Sequence, residues 1–135
     1  MKVRFALLAD YSNVTQEGKI NILGLFDFII AAQFPATIPE IRLVVRFEAD
    51  ISEQGQQKEV QVRLIDEHGG KMIELNGRIP VVEAESGPML FIDQILILRN
   101  ITFPSAGDYQ FDIYVDDKLS SVPLKAVLNP QLHKP

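Results

Sequence analysis

The sequence predicts an all-β fold, built as a single antiparallel β-sandwich of about eight strands. The clearest observation is a strict alternation of side chains facing opposite ways from Tyr109 to Asp116, directly after a glycine-containing turn, as in a half-buried strand. A second is the recurrence of short β-rich runs, each followed by turn residues, at about every ten to fifteen positions. A third is that no segment of about eleven residues or more repeats apolar residues at helical spacing. Because the sequence does not reveal strand order, a jelly roll or an open barrel remains an alternative.

The first two strands are predicted near the start of the chain. Val3–Ala9 is the first, and a connection begins at Asp10 and closes around Gly18. The second is Ile20–Phe28, with an extension to Ala31 left open. Gly24 interrupts its alternation, and a glycine inside a strand indicates a bulge.

Two prolines separate the second predicted strand from the third. Pro35 and Pro39 remove backbone donors that a central strand needs. We therefore predict that Phe34–Pro39 is an extended crossover between the two sheets. The third strand, Ile41–Ala49, alternates clearly between apolar and charged residues.

The middle of the chain is predicted to form a hairpin and then an apolar strand. Val60–Leu64 and Met72–Ile79 are joined by the turn Asp66–Lys71, whose glycines can adopt the positive φ of a tight turn. The return strand is interrupted at Asn76 and Gly77, and the segment that follows it is irregular. Leu90–Leu98 has apolar residues at both its even-numbered and its odd-numbered positions, and therefore on both faces of a strand. This is typical of a strand that is covered on both faces or lies in a subunit contact.

The end of the chain is predicted to form a second hairpin. Its first strand follows the turn before Tyr109. The residues that this strand directs inward are Tyr109, Phe111, Ile113 and Val115. Asp116 and Asp117 form a two-residue turn, because aspartate tolerates left-handed backbone conformations, and Leu119–Leu128 is the last strand. We predict one domain over residues 1–130 and a flexible tail over residues 131–135.

The composition excludes several classes of function. The 135 residues include no cysteine, which excludes disulfides and thiolate metal sites. A net charge of −5 opposes broad contact with phosphate backbones, so no nucleic-acid partner is expected. The longest apolar stretch, residues 89–98, is shorter than the roughly 20 residues of a membrane helix, and the apolar run after Met1 is too short for a signal peptide. We therefore expect a cytoplasmic protein without membrane contacts.

Two blocks of the sequence match a family pattern. Residues 9–27 read ADYSNVTQEGKINILGLFD, and the hairpin within residues 104–127 begins PSAGDYQFDIYVDD. Together they resemble a family of small bacterial proteins of unknown function, with an ADYxNVTxxGKxNILGxFD-like opening and a C-terminal PxxGxYxFxIxVD hairpin. The resemblance implies a bacterial origin, a single β-sandwich domain and no established activity. It supplies no catalytic residues.

The turn before Tyr109 also resembles the Asp-x-Gly-x-Tyr-x-Cys element of immunoglobulin-type domains. In this chain Ser105 stands in the position of the aspartate and Phe111 in that of the cysteine, and there is no tryptophan. The resemblance implies sandwich architecture only, of a Greek-key or immunoglobulin-like kind.

No set of residues points to catalysis, and we expect neither an enzyme nor a cofactor. The two histidines are His68, in a predicted turn, and His133, near the end of the chain, and neither is placed to activate a nucleophile. Asp108, Asp112 and Asp116 are expected on the same face of one strand. Neighbours in this set are about 13 Å apart, too far for one strand to chelate an ion, so no metal site is expected.

Two functions fit this sequence. The first is a non-enzymatic sandwich that acts through protein–protein contacts and self-associates as a homo-oligomer, since large apolar surfaces usually mark interfaces. Its candidate interface residues are Leu90, Ile92, Leu96 and Leu98. The alternative is a small-ligand or carbohydrate-binding module with a site in the end loops Asp10–Lys19 and Pro80–Pro88. Its candidate ligand residues are Asp10, Tyr11, Asn13 and Asp27.

Overall fold

The computed structural model describes residues 1–82 and 89–133, and most of these residues lie in β-strands. The described part of the chain contains nine strands, one more than the predicted number. They are β1 (Lys2–Val14), β2 (Ile20–Phe26), β3 (Phe28–Ala31), β4 (Ala36–Asp50), β5 (Gln57–Asp66), β6 (Lys71–Pro80), β7 (Met89–Phe103), β8 (Gly107–Val115) and β9 (Lys118–Leu128). The helical residues in the same ranges belong to two short 3₁₀ helices, Ile51–Glu53 and Pro130–His133. The predicted all-β class is therefore confirmed.

The strands form two packed sheets. One has four strands in the order β2-β1-β4-β7, and the other has five in the order β3-β9-β8-β5-β6. Neighbouring strands are antiparallel except β3 and β9, which are parallel. Both sheets contribute inward side chains to one hydrophobic core, so the predicted sandwich is confirmed. The edge strands β6 and β7 do not pair with each other, and this opening between the sheets is the feature that the structure shares with the open-barrel alternative.

Alternation along the strands decides which side chains form the core. Phe111 and Ile113 of β8 are completely buried, and Tyr109 and Val115 are nearly so, as predicted. In the other sheet, Leu43 of β4 is also completely buried. Burial of each side chain of this size contributes about 1.5–3 kcal/mol, so the interior faces of the two sheets supply the main stabilisation of the fold.

The chain changes sheets directly after β2, so the prediction of one strand over Ile20–Phe28 is wrong. β2 ends at Phe26 and β3 begins at Phe28, with Asp27 between them. Phe26 packs against the core from the four-stranded sheet, whereas Ile29 is buried from the five-stranded sheet. The inward positions are thus three residues apart instead of two, and this shift of parity marks the change of sheet.

β1 is longer than predicted, because no connection begins at Asp10. The strand continues to Val14 and pairs with β2 as far as Ile20. Gly24 of β2 lies beside Asp10 and has a φ of +70°, and a Cβ atom at this glycine would clash with the Asp10 carboxylate. The absent side chain therefore leaves room for the aspartate within the sheet.

β4 also begins earlier than predicted. The prediction that Phe34–Pro39 is a crossover is wrong for its last four residues, since β4 starts at Ala36. Pro39 is tolerated because this part of β4 pairs with β7 alone, and the partners of β1 on β4 run only from Arg42 to Glu48. The missing backbone donor of Pro39 thus interrupts no pairing with β1.

The middle of the chain agrees with the prediction except at its boundaries. β5 and β6 pair as a hairpin, and β6 runs through Asn76 and Gly77 without the predicted interruption. β7 continues past Leu98 to Phe103. Within the predicted irregular segment Pro80–Pro88, residues 83–88 lie outside the described ranges, as do residues 134–135 of the predicted tail.

The hairpin between β8 and β9 has the predicted two-residue turn. Asp116 and Asp117 have φ values of 48° and 60°, which are the left-handed values that a type I′ turn requires at both central positions. Aspartate is one of the few residues other than glycine that adopts them readily. This local prediction is therefore confirmed.

A tyrosine corner connects the turn to β8. The hydroxyl of Tyr109 donates a hydrogen bond of 2.6 Å to the backbone oxygen of Ser105. The Tyr109 ring packs edge-to-face against Phe103, with ring centroids 4.9 Å apart. One side chain thus ties the end of β7 to the start of β8, where the chain passes from one sheet to the other.

We expect Tyr109→Phe to lower the free energy of unfolding by about 1–2 kcal/mol. The substitution keeps the ring in the core but removes the donor that satisfies the Ser105 oxygen. Urea unfolding at neutral pH measures the effect. Tyr114→Phe is the matched control, because it removes a hydroxyl from the opposite face of the same strand. Equal losses in the two variants would contradict a special role for the corner.

Candidate functional site

The outer face of the four-stranded sheet carries a band of exposed apolar side chains. Leu25 is 65% exposed, Leu23 61%, Phe91 49% and Ile97 41%. These residues alternate along β2 and β7 with the residues that face the core. Together with two half-buried neighbours they form a surface that we call the apolar band. Its members are Leu7, Leu23, Leu25, Phe91, Ile95 and Ile97.

The register of the strands aligns the apolar band in rows. Leu25 lies beside Ala9, Ala9 beside Arg42, and Arg42 beside Ile97, so that one row crosses all four strands. The adjacent row consists of Leu7, Val44 and Ile95. Ala9 and Val44 are completely buried although they lie on the outer face. Their longer neighbours therefore cover them. In the first row these neighbours include Arg42, so the most exposed apolar side chains lie on β2 and β7, at the two edges of the sheet.

Arginine side chains lie over aromatic rings on the same face. The guanidinium carbon of Arg42 is 4.4 Å from the ring centroid of Tyr11, and that of Arg46 is 5.5 Å from the ring centroid of Phe91. Two hydrogen bonds to Asp93, of 2.7 and 2.9 Å, raise the pKa of Arg46. These contacts hold the guanidinium groups in place, so little side-chain freedom remains to be lost when a partner binds.

The structure places the four predicted interface residues on the inner face of β7. Leu90 and Leu98 are buried in the core, and Ile92 and Leu96 pack against it. They lie opposite inward-facing residues of β4, whereas Phe91, Ile95 and Ile97 face outward. The choice of residues is therefore corrected: β7 does contribute to the exposed apolar surface, but through the opposite set of side chains.

The four predicted ligand residues do not share one surface. Asp10, Tyr11 and Asn13 lie on β1 and not in a loop, and consecutive side chains of a strand point to opposite faces. The amide oxygen of Asn13 accepts a hydrogen bond of 2.9 Å from the side chain of Asn21. Asp27 lies at the change of sheet, where its backbone oxygen accepts a hydrogen bond from the backbone of β9. These four residues therefore do not line one pocket.

Four charged groups that the sequence analysis did not identify meet at one end of the sandwich. The α-amino group of Met1 contacts Glu53 at 2.5 Å and Asp116 at 2.8 Å, and the Lys58 ammonium contacts the same carboxylates at 3.0 and 2.9 Å. The hydrogen bond from the α-amino group is the main cause that lowers the pKa of Glu53, to about 2, and the pKa of Asp116. We call this set the ion cluster. It joins the residue before β1, the 3₁₀ helix Ile51–Glu53, β5 and the β8–β9 turn.

The outer face of the five-stranded sheet is polar and internally hydrogen-bonded on β5, β6 and β8, whereas β3 and β9 expose Phe28, Ile30 and Leu119 on it. Asp112 is only 5% exposed, and it accepts hydrogen bonds of 2.7 Å from the side chains of Gln110 and Ser121. On the neighbouring strands, Glu74 pairs with Arg63 at 3.1 Å. Because these groups satisfy one another, this face has the character of an ordinary outer surface in contact with water.

Residues that often carry chemistry are dispersed over the described ranges. These ranges contain no group of three or more histidine, aspartate or glutamate residues that could hold a metal ion. His68 lies in the exposed turn between β5 and β6, and the His133 side chain is not among the described atoms. Among residues 1–82 and 89–133 there is also no helix with the length and apolar character needed to cross a membrane.

The ion cluster predicts a loss of stability in acid. The pKa of Glu53 is about 2 in the folded protein against an ordinary value of 4.5, so the unfolded chain takes up this proton at a higher pH. The stabilisation is therefore complete above the ordinary pKa and is lost as the pH falls through the pKa of the folded state. We expect Glu53→Gln to flatten the dependence of the unfolding free energy on pH between about 4.5 and about 2, as measured by urea unfolding.

The matched control for this prediction is Glu17→Gln. Glu17 lies in the exposed turn between β1 and β2 and contacts Lys19 at 3.4 Å. We expect this variant to keep the acid dependence of the unchanged protein. A Glu53→Gln variant that also keeps it would show that the ion cluster does not contribute to stability.

Comparison with known proteins identifies a family and no curated relative. A search of the curated proteins found no match. The model of a family described as a family of unknown function (DUF6941) matches residues 4–127, a range that extends from β1 into β9. The inferred resemblance to a family of unknown function is thereby confirmed, while the bacterial origin that it implied stays a prediction. The chain therefore belongs to this family of unknown function.

Proposed function

We propose that the protein is a non-enzymatic β-sandwich that acts through protein–protein contacts and self-associates through the outer face of its four-stranded sheet. The observation that carries this proposal is the apolar band, with Leu25 and Leu23 more than half exposed at one edge. Single exposed apolar residues are common on proteins. Several of them gathered on one face of a sheet are characteristic of surfaces that bind another protein.

The contrast with the outer side of β5, β6 and β8 supports the choice of surface. Polar side chains on the five-stranded sheet hydrogen-bond one another, as Asp112 does with Gln110 and Ser121. On the four-stranded sheet, the apolar side chains of Leu23, Leu25, Phe91 and Ile97 are 41–65% exposed. The polar face is hydrated at little cost. Removing the apolar side chains of the four-stranded sheet from water, by contrast, is favourable by about 25 cal/mol for each Å² of apolar area.

The arginines on this face are also typical of protein–protein interfaces. Arginine and aromatic residues are enriched where proteins meet, while lysine and glutamate are depleted. Arg42 over Tyr11 and Arg46 over Phe91 form such pairs within the same face. The side of each planar guanidinium group that faces away from the ring can be covered by a partner at a smaller desolvation cost than a lysine ammonium group.

We expect the protein to have the mass of a dimer or larger oligomer at micromolar concentration, and the variant Leu25→Ser/Ile97→Ser to have the mass of a monomer. Each substitution removes an apolar contact that contributes about 1.5–3 kcal/mol to the interface. The two together therefore lower the affinity of self-association by more than about tenfold. Size-exclusion chromatography with light scattering measures the mass.

The matched control is Leu119→Ser, because Leu119 is 53% exposed on β9, in the five-stranded sheet. This variant is expected to keep the oligomer. A monomeric unchanged protein would rule out self-association, and equal dissociation by the control would show that the face is assigned wrongly.

A further inference from the structure

One long side of the sandwich is open. β6 is the edge of the five-stranded sheet and β7 is the edge of the four-stranded sheet, and within the described ranges neither has a second neighbour. An apolar space of about 150 Å³ lies between them and reaches the core residues Phe47 and Val62. Leu75 occupies an inward position of β6, opposite Val62, and is nevertheless 37% exposed. The core is therefore not closed on this side.

Three of the four sheet edges carry features that oppose pairing with another chain. β3 has only four residues. β2 contains Gly24, whose φ is +70°, and β6 contains Gly77 and ends at Pro80. Short strands, irregular backbone and proline commonly protect the edge of a sheet, and glycine weakens a strand.

β7 lacks these features over the range Met89–Arg99. This range contains neither glycine nor proline, and it pairs with β4 without a register shift. The backbone becomes irregular only at Asn100, where φ is 55°. Among the described residues, the N–H and C=O groups that point away from β4 face no further strand. A long, regular and apolar edge of this kind is suited to the addition of a strand from another chain.

The charges of β7 favour one register for pairing with a second copy of the chain. Two identical strands that pair antiparallel about a two-fold axis have one residue opposite itself. With Leu96 at this centre, Asp93 of each copy lies opposite Arg99 of the other, and opposite charges in these positions are stabilising. Ile95 then lies opposite Ile97. A centre at Asp93 or at Arg99 opposes like charges, and any other centre between them leaves Asp93 opposite an apolar residue.

Both charged side chains lie where this pairing needs them. Asp93 and Arg99 share the outer face of β7, opposite Arg46 and Glu40 of β4. The Arg99 side chain is 68% exposed and contacts Glu40 at 3.5 Å, so its guanidinium group can reach a second carboxylate. Asp93 binds Arg46, and its carboxylate oxygens have further lone pairs that can accept hydrogen bonds.

We propose that two copies of the chain join along this open side, with their β7 strands paired antiparallel about Leu96, so that two four-stranded sheets become one. Main-chain hydrogen bonds supply the affinity, and the two contacts between Asp93 and Arg99 fix the register. The open sides of the two copies face each other, which removes Leu75 from water. The contact extends the proposed self-association to a second surface, because it uses the edge of the sheet and not its outer face. Ile97 takes part in both contacts.

The test is disulfide cross-linking of single-cysteine variants, since the chain has no cysteine of its own. Opposite residues of antiparallel strands have Cα atoms about 4.5–5.5 Å apart, which a disulfide can bridge. Leu96→Cys is therefore expected to give a covalent dimer on mild oxidation, read by non-reducing electrophoresis. Ile92→Cys is the matched control, because both residues pack against the core from β7. In the proposed register the two copies of residue 92 are roughly 26 Å apart, and no cross-link is expected.

Reversal of one charge tests the register. Arg99→Glu in the Leu96→Cys chain places a carboxylate opposite Asp93 and is expected to lower the yield of cross-linked dimer about fivefold. Arg78→Glu is the matched control and is expected to keep the yield. The side chains of Arg78 and Arg99 are 69% and 68% exposed, and each contacts one glutamate at 3.5 Å. Equal yields from the two charge variants overturn the proposed register.

A second pair of variants keeps the proposal testable if Leu96→Cys does not fold. Ile95→Cys and Ile97→Cys are expected to cross-link faster when mixed than alone, and equal rates overturn the proposal. Equal cross-linking of Ile92→Cys and Leu96→Cys also overturns it. An oligomer that does not cross-link through Leu96→Cys overturns the edge contact and leaves the outer-face contact standing. Cross-linking through Leu96→Cys in a protein whose mass Leu25→Ser does not lower supports the edge contact and counts against the outer face.

Discussion

Strand β4 is the element on which the rest of the structure depends. It pairs with β1 on one side and with β7 on the other, and both of its faces are covered. Leu43 on the inner face and Val44 on the outer face are completely buried. Because the register of β4 fixes which residues of β1 and β7 point inward, the same pairing determines the core and the apolar band. A shift by one residue would exchange the two.

Features built from neighbouring residues could be predicted from the sequence. The alternation of Tyr109, Phe111 and Ile113 needs only the period of a strand, and the turn at Asp116 and Asp117 needs only the backbone preferences of aspartate. Features that depend on distant partners could not be predicted. The ion cluster joins residues as far apart as Met1 and Asp116, and no local pattern marks such a contact.

The candidate site shows the same division between local and distant information. Because β7 has apolar residues on both faces, the sequence indicated that it contributes to an exposed surface. Leu90 and Phe91 are equally apolar, however, so the sequence could not show which of them faces the core. Pairing with β4 decides it. Leu23 and Leu25 belong to the apolar run Leu23–Ala32, in which Asp27 is the one charged residue, and the sequence did not reveal that the chain changes sheets there.

The parallel pairing of β3 with β9 has a consequence for how the chain is made. Phe28–Ala31 leave the ribosome early, whereas their partners Lys125–Leu128 follow about a hundred residues later. At about 5–20 residues per second, several seconds pass before β3 has a neighbour in its sheet. The five-stranded sheet therefore cannot close during most of translation. A ribosome that stalls before β9 holds a half-formed sandwich with an unpaired strand, which is a state prone to aggregation.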